Sequence, residues 1–136
     1  LKPTTIGVRC ILINDDKILL VKSRWSKKWF LPGGRVNKSE SLIAAVKREV
    51  KEECSLEIDN IEMRNFYFST YENKSDHIFL FTGQLIGNAK LDISKYNIEI
   101  EDTEFFPLDN LPDNISPGNL RRINDYVNNE YSYHEW

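Results

Sequence analysis

Between Gly34 and Leu56 the chain reads GRVNKSESLIAAVKREVKEECSL, a glycine-led loop running into a helix that carries Arg48, Glu49, Glu52 and Glu53. Carboxylates three and four residues apart project from one helical face. Glu49, Glu52 and Glu53 therefore make a dense patch of negative charge. On a helical wheel Leu42, Ile43, Val46, Val50 and Cys54 form one apolar stripe, and the acids fall about a quarter-turn from its centre, bordering the core. Lys47 and Lys51 lie on the side away from the acids and are badly placed to neutralise them across one turn. A hard divalent cation such as Mg²⁺ or Mn²⁺ suits such oxygen ligands. Taken alone, however, a segment such as KREVKEE is far more often a solvated amphipathic face than a site.

The rest of the chain predicts one domain over residues 1–136, with no repeat, low-complexity tract or long linker. Thr5 to Ile13 and Lys17 to Val21 are β-branched and apolar runs separated by Asn14-Asp15-Asp16, which predicts a hairpin. Trp25 to Leu31 leads into Pro32-Gly33-Gly34, where backbone can take unusual φ or approach a ligand closely. Ser39 is the expected N-cap of the acidic helix. Ile61 to Tyr71 and His77 to Ile86 read as an antiparallel pair around Glu72 to Asp76. A short strand at Thr103 to Phe106, a Pro-bounded loop from Pro107 to Pro117 and a helix from Asn119 to Asn129 follow. The expected class is α/β, a mixed sheet between helices in an α/β/α sandwich.

Charge and cysteine content narrow the partners. A formal net charge of -3 gives no electrostatic footprint for duplex nucleic acid. No apolar run approaches the roughly 20 residues of a membrane span, and LKPTTIGVRC lacks the basic-then-apolar layout of a signal peptide. Cys10 and Cys54 are too few for a disulfide framework and lack metal-ligand spacing, which predicts a reducing cytoplasm. The aromatic YSYHEW segment, with His134, could pack on the body or on a second copy in a homodimer.

Gly34, Glu40, Arg48-Glu49-Val50, Glu52-Glu53 and Leu56 resemble the Nudix box, G-x5-E-x7-R-E-U-x-E-E-x-G-U with U a bulky aliphatic. One fixed position departs: Ser55 stands where the family has its last glycine, and positive φ there would cost a serine about 1 kcal/mol. The resemblance implies a Nudix-type fold and hydrolysis of a nucleoside diphosphate linked to some moiety X, with Mg²⁺ or Mn²⁺ and water attack at phosphorus. By the same resemblance Glu49 and Glu53, with Glu52 alongside, match the metal ligands, the Gly33 carbonyl matches a loop ligand, and Arg48 matches the arginine that orients the carboxylates. Glu40 matches the box's first glutamate, partly structural in the family. A further glutamate often comes from a late loop, and Glu99 matches it best, with Glu101, Asp102 and Glu104 as alternatives. Glu49 and Glu99 are the candidate general bases.

Substrate choice is less legible. Trp25, Trp29, Phe30, Phe66, Phe68, Tyr71 and Phe79 offer faces on which a base could stack, although such aromatics as a rule build the core. Arg24, Trp29, Gly34 and Tyr71 are the residues expected to meet a small-molecule nucleotide. Lys22, Arg24, Lys27 and Lys28 could meet phosphates or form a solvated loop. Tyr71 resembles a tyrosine of diadenosine-polyphosphate-cleaving relatives, the missing downstream proline disfavours an ADP-ribose specialist, and WFLPGGRV resembles GDP-mannose-hydrolysing relatives. A catalytically silent, nucleotide-binding sensor is the alternative from another class. His77 reads as a surface or hairpin histidine.

Overall fold

The computed structural model describes residues 3–93, 97–131 and 135–136. Strands β1 (Thr4–Asn14), β2 (Lys17–Ser23), β3 (Trp29–Phe30) and β4 (Gly33–Arg35) precede helix α1 (Leu42–Cys54). Strands β5 (Glu57–Ser69), β6 (Ser75–Ile86) and β7 (Ile100–Pro107) and helix α2 (Pro117–Val127) follow. The expected β1–β2 hairpin turns through Asp15 and Asp16, both at positive φ (52° and 60°), the conformation whose twist suits a two-residue hairpin and which Asp tolerates. After Ile13↔Ile18 and Asn14↔Lys17 the two strands part. β1 then pairs parallel with β6 from Thr4 to Leu12 and antiparallel with β4, placing Gly34 opposite Val8 and Gly33 opposite Arg9. β2 pairs antiparallel with β3 and β7, and β5 with β6. β1 therefore positions the glycine loop.

Strand periodicity sorts the core into two layers. Val8, Cys10 and Leu12 of β1, with Leu19 and Val21 of β2, pack on Ala45, Val46, Val50 and Cys54 of α1. Ile11, Ile18 and Leu20 face the other way, toward Ile123, Leu120 and Tyr126 of α2. Leu12, Leu19 and Leu20 have no exposed surface, and burying each contributes about 2 kcal/mol. The result is the expected mixed sheet between two helices.

Several boundaries and faces differ from expectation. Ser41, not Ser39, caps α1, its hydroxyl accepting from the Ala44 N–H at 3.1 Å. Ser39 instead sits in the loop at φ 65°. Ile43, in the first helical turn, is 47% exposed, and the inward positions go to Ala45 and Val46. β7 is longer than Thr103 to Phe106 because it pairs along nearly the whole of β2. α2 begins at Pro117, a residue whose fixed φ and missing N–H suit a first helical position. Tyr71 lies in a 3-10 turn between β5 and β6. Trp29, expected to meet substrate, is buried at 6% exposure and meets Phe106 edge-on at 4.8 Å between ring centroids.

Ser55 adopts φ 59°, ψ 33°, its N–H donating to the Lys51 carbonyl. Ser55→Gly should therefore raise the unfolding free energy by about 1 kcal/mol in denaturant titration. Unchanged stability would show that this left-handed turn carries no strain.

Candidate active site

Two glycines bring the helix acids against loop backbone. Gly33 has φ 153°, and a Cβ there would stand 2.0 Å from the Val8 carbonyl oxygen. Its N–H donates to Glu53 Oε1 at 2.8 Å. A Cβ on Gly34 would meet the Glu49 carboxylate at 2.7 to 3.0 Å. The missing Cβ of Gly33 thus lets the loop lie against β1, and the missing Cβ of Gly34 leaves room for the Glu49 carboxylate.

Arg48 fastens the outer part of the same patch. Its Nε and Nη2 bind the two oxygens of Glu40 at 2.7 and 2.9 Å, a bidentate geometry that guanidinium fits. Nη1 donates to Glu49 at 2.9 Å and to Glu52 at 3.3 Å, and Nη2 to the Arg35 carbonyl at 3.0 Å. Glu40 in turn accepts from the Asn37 N–H at 3.1 Å. Its bonds to Arg48 hold the Glu40 carboxyl down at about 2. Lys47 pairs with Asp59 and Lys51 with Glu57, so both lysines leave the acid face alone as the wheel predicted.

Glu53 lies deeper than the border position expected of it, at 5% exposure. On the wheel it falls between Leu42 and Val46, where α1 faces the glycine loop instead of an apolar side chain. Burial pushes its carboxyl up to about 8, against the opposing pull of Arg9. Burial also raises Glu49, opposed by its bond to Arg48. Arg9 is a site residue that sequence reasoning missed. It reaches from β1 to the Leu31 carbonyl at 2.7 Å and lies 5.7 Å from the Phe30 ring centroid. Its signal was a lone charge inside the apolar run TIGVRCILI.

Among the late acids, Glu99 is the one whose charge acts on Glu53. Asn97 builds the turn that carries it, its Oδ1 accepting from the Glu99 and Ile100 N–H groups and its Nδ2 donating to the Glu52 carbonyl of α1 at 3.3 Å. Arg24 braces the same loop by donating from its backbone to the Glu99 carbonyl and from Nε to the Ile98 carbonyl. Arg24 is therefore a loop brace and not one of the residues lining the cavity. Glu101 is paired with Lys27 and Lys22.

A cavity of about 840 Å³ opens beside the box loop. Gly34, Arg35, Arg9 and Phe30 line one part, and Trp25 and Tyr71, which are 71% and 78% exposed, line another. Asp76, holding the Thr5 hydroxyl at 2.7 Å, adds an acid. His77 lies tilted against Phe68, 5.2 Å between ring centroids, and is not among the residues lining the cavity. His134 lies outside the described residues.

The donor set fits a small hard cation. Glu53 is a buried carboxylate, Glu49 is half-buried beside it, and both adjoin backbone. Among the described residues no three His, Cys, Asp or Glu side chains form a ready-made metal cage. Mg²⁺ characteristically uses one or two carboxylates together with waters and substrate phosphates.

The NUDIX domain profile matches residues 3–126. The chain belongs to the Nudix family. It is 31% identical over 110 residues to the m7GpppN-mRNA hydrolase of Saccharomyces cerevisiae, covering 79% of this chain but only 11% of the yeast protein's length. It is also 31% identical over 127 residues to the ADP-ribose pyrophosphatase of Methanocaldococcus jannaschii, covering 90% of this chain and 72% of that relative. The solved structure of a MutT NUDIX hydrolase from Burkholderia pseudomallei superposes with TM-score 0.78 at 20% identity, covering 90% of this chain and 98% of that one. At that identity the likeness speaks for the Nudix fold alone. No helix among the described residues is long and apolar enough to cross a membrane.

The raised Glu53 sets a pH dependence. Between its ordinary 4.5 and about 8 the folded protein holds a proton that the unfolded chain has lost, so stability falls as pH rises through that window. In chelator, the protein should melt at a lower temperature at about pH 8 than at about pH 5, and Glu53→Gln should flatten the decline. Mg²⁺ should stabilise more at the higher pH, where it meets a carboxylate without its proton. An equally steep decline in the variant would assign the dependence to another group.

Proposed function

We propose that this domain is a divalent-cation-dependent pyrophosphohydrolase that cleaves a nucleoside diphosphate linked to a further moiety by attack of water at phosphorus. The observation that carries this is the pairing of Glu53 and Glu49, one helical turn apart, against the side-chain-free backbone of Gly33 and Gly34. Glu49 and Glu53 would hold Mg²⁺ or Mn²⁺, with Glu52 and the Gly33 carbonyl alongside and Glu99 contributing from its loop. When bound, the cation would supply charge neutralisation for the pyrophosphate and an activated water.

The protein's own groups have separable roles in this scheme. Arg48 fixes the Glu49 carboxylate and tethers it to Glu40 and the loop. Glu49, beside the glycine loop, is one candidate to take a proton from the attacking water; Glu99 is the other. Arg9 offsets the charge of Glu53 from beneath. Lys28 and Arg35 line the cavity that opens from the box and would meet phosphate oxygens, while Phe30, Trp25 and Tyr71 offer faces to the nucleoside. Cys10 and Cys54 are free and buried, which supports a reducing, cytoplasmic setting.

The yeast and archaeal relatives are named for different nucleotide substrates, so the test is a panel of nucleotides, nucleotide sugars, ADP-ribose, dinucleoside polyphosphates and capped dinucleotides with Mg²⁺, products identified by mass. Cleavage between phosphorus atoms of at least one compound is expected. Glu53→Gln should lose about a hundredfold or more in kcat/KM while melting cooperatively. Near-normal turnover in that variant would remove its assigned role. Nucleotide-dependent thermal stabilisation without any product would identify a binding sensor instead.

A further inference from the structure

The segment Glu135–Trp136 is held against the body by contacts from β5 and α2. The Trp136 N–H donates to the Phe68 carbonyl of β5 at 2.9 Å, and Glu135 bridges Phe68 in parallel fashion. Two consecutive arginines of α2 bind its carbonyls, Arg121 with Nε and Nη2 on Trp136 at 3.3 and 2.9 Å and Arg122 with Nη1 on Glu135 at 2.9 Å. Arg122 is itself buried at 5% exposure and ion-paired with Asp125. The indole meets Tyr67 edge-on at 5.5 Å and lies 5.5 Å from the Arg122 guanidinium. At Gly118, in the first turn of α2, a Cβ would come within 2.4 Å of the indole Nε1. The indole occupies a seat that requires glycine.

This fastened indole lines the same cavity as Gly34 of the box, Phe30 and the exposed Tyr71. An aromatic ring already fixed by its neighbours gives up little freedom when a planar group stacks on it. We propose that Trp136 is a specificity-determining wall of the substrate cavity, against which the nucleobase rests, and that Gly118 and Arg121 are positioning residues that keep it there. The proposal rests on the cavity being the nucleotide's seat in the pyrophosphohydrolase reading above. Its chemistry is distinct from that of the acidic helix: the wall contributes π-surface and shape and leaves the phosphorus chemistry untouched.

The test measures KM and kcat separately over the nucleotide panel. Trp136→Ala should raise KM about tenfold, within the range for loss of one base-stacking partner, with a much smaller change in kcat and a compressed ranking among bases. Trp136→Phe should recover part of the loss. Gly118→Ala, which keeps the tryptophan but takes its seat, should reproduce the rise in KM. If Trp136→Ala fails to melt cooperatively, the other two variants carry the comparison. KM and base ranking unchanged in the folded variants would overturn the proposal. Should the wild-type protein turn over none of the panel, the hydrolase reading fails, and nucleotide-dependent thermal stabilisation decides this one. Stabilisation by base-containing nucleotides that disappears in the variants supports the wall. Equal stabilisation in wild type and variants, or none in either, overturns it.

Discussion

The hydrogen bond from the Gly33 N–H to the buried carboxylate of Glu53 is the contact around which the rest of the structure is arranged. Taking an ionised carboxylate out of water costs several kcal/mol unless fixed donors and countercharge replace the lost hydration. Here a backbone N–H and the charge of Arg9 replace part of it. That solution requires the loop to lie between β1 and α1, which the absence of a Cβ on Gly33, against Val8, and on Gly34, against Glu49, permits. It also requires the loop to be pinned to a fixed register, which its pairing with Val8 and Arg9 in β1 supplies. An apolar residue at position 53 would pack there at lower cost.

The distribution of cations around the acids follows the same logic. A lysine among Glu49, Glu52 and Glu53 would be a mobile point charge competing with any metal, and Lys47 and Lys51 are turned instead to Asp59 and Glu57. Arg48 is different because its planar fork has fixed directions. Two of its nitrogens grip Glu40, so the same guanidinium that approaches Glu49 also ties α1 to the loop before it. Departure of Ser55 from the family's glycine is tolerated because that position lies past the helix end, where its cost is conformational and local.

What was legible in the sequence follows from the range of the forces involved. The acidic helix and the β1–β2 hairpin depend on spacing within a few residues, and both form where those spacings put them. Choices between equivalent local signals were not decidable in that way. Ser39 and Ser41 are both acceptable caps, and Glu40 settles the matter by reaching back to Asn37 while gripping Arg48. Trp29 and Tyr71 are both aromatic, but pairing with Lys22 and contact with Phe106 draw Trp29 inward, while the tight turn leaves Tyr71 outside. Glu99 and Glu101 are distinguished only by distant partners, Asn97 with Glu52 on one side and Lys27 on the other. Arg9 is a case of the same kind, since its role depends on β4 and α1 arriving from later in the chain.

This division also separates the two halves of the function. Arg48, Glu49, Glu52 and Glu53 come from one helix, so their spacing is fixed by local sequence, whereas β1 sets the register of the loop they face and Glu99 lies in a separate loop. The cavity draws on β1, the β2–β3 connection, the β5–β6 turn and the first turn of α2, none of which constrains another through sequence spacing. A substitution in any of these elements can alter the shape of the cavity without moving Glu53 from Gly33. The arrangement of the box acids is therefore readable from one short stretch, whereas the shape of the cavity depends on contacts between segments more than 40 residues apart, such as Thr5 with Asp76 and Leu31 with Asn119.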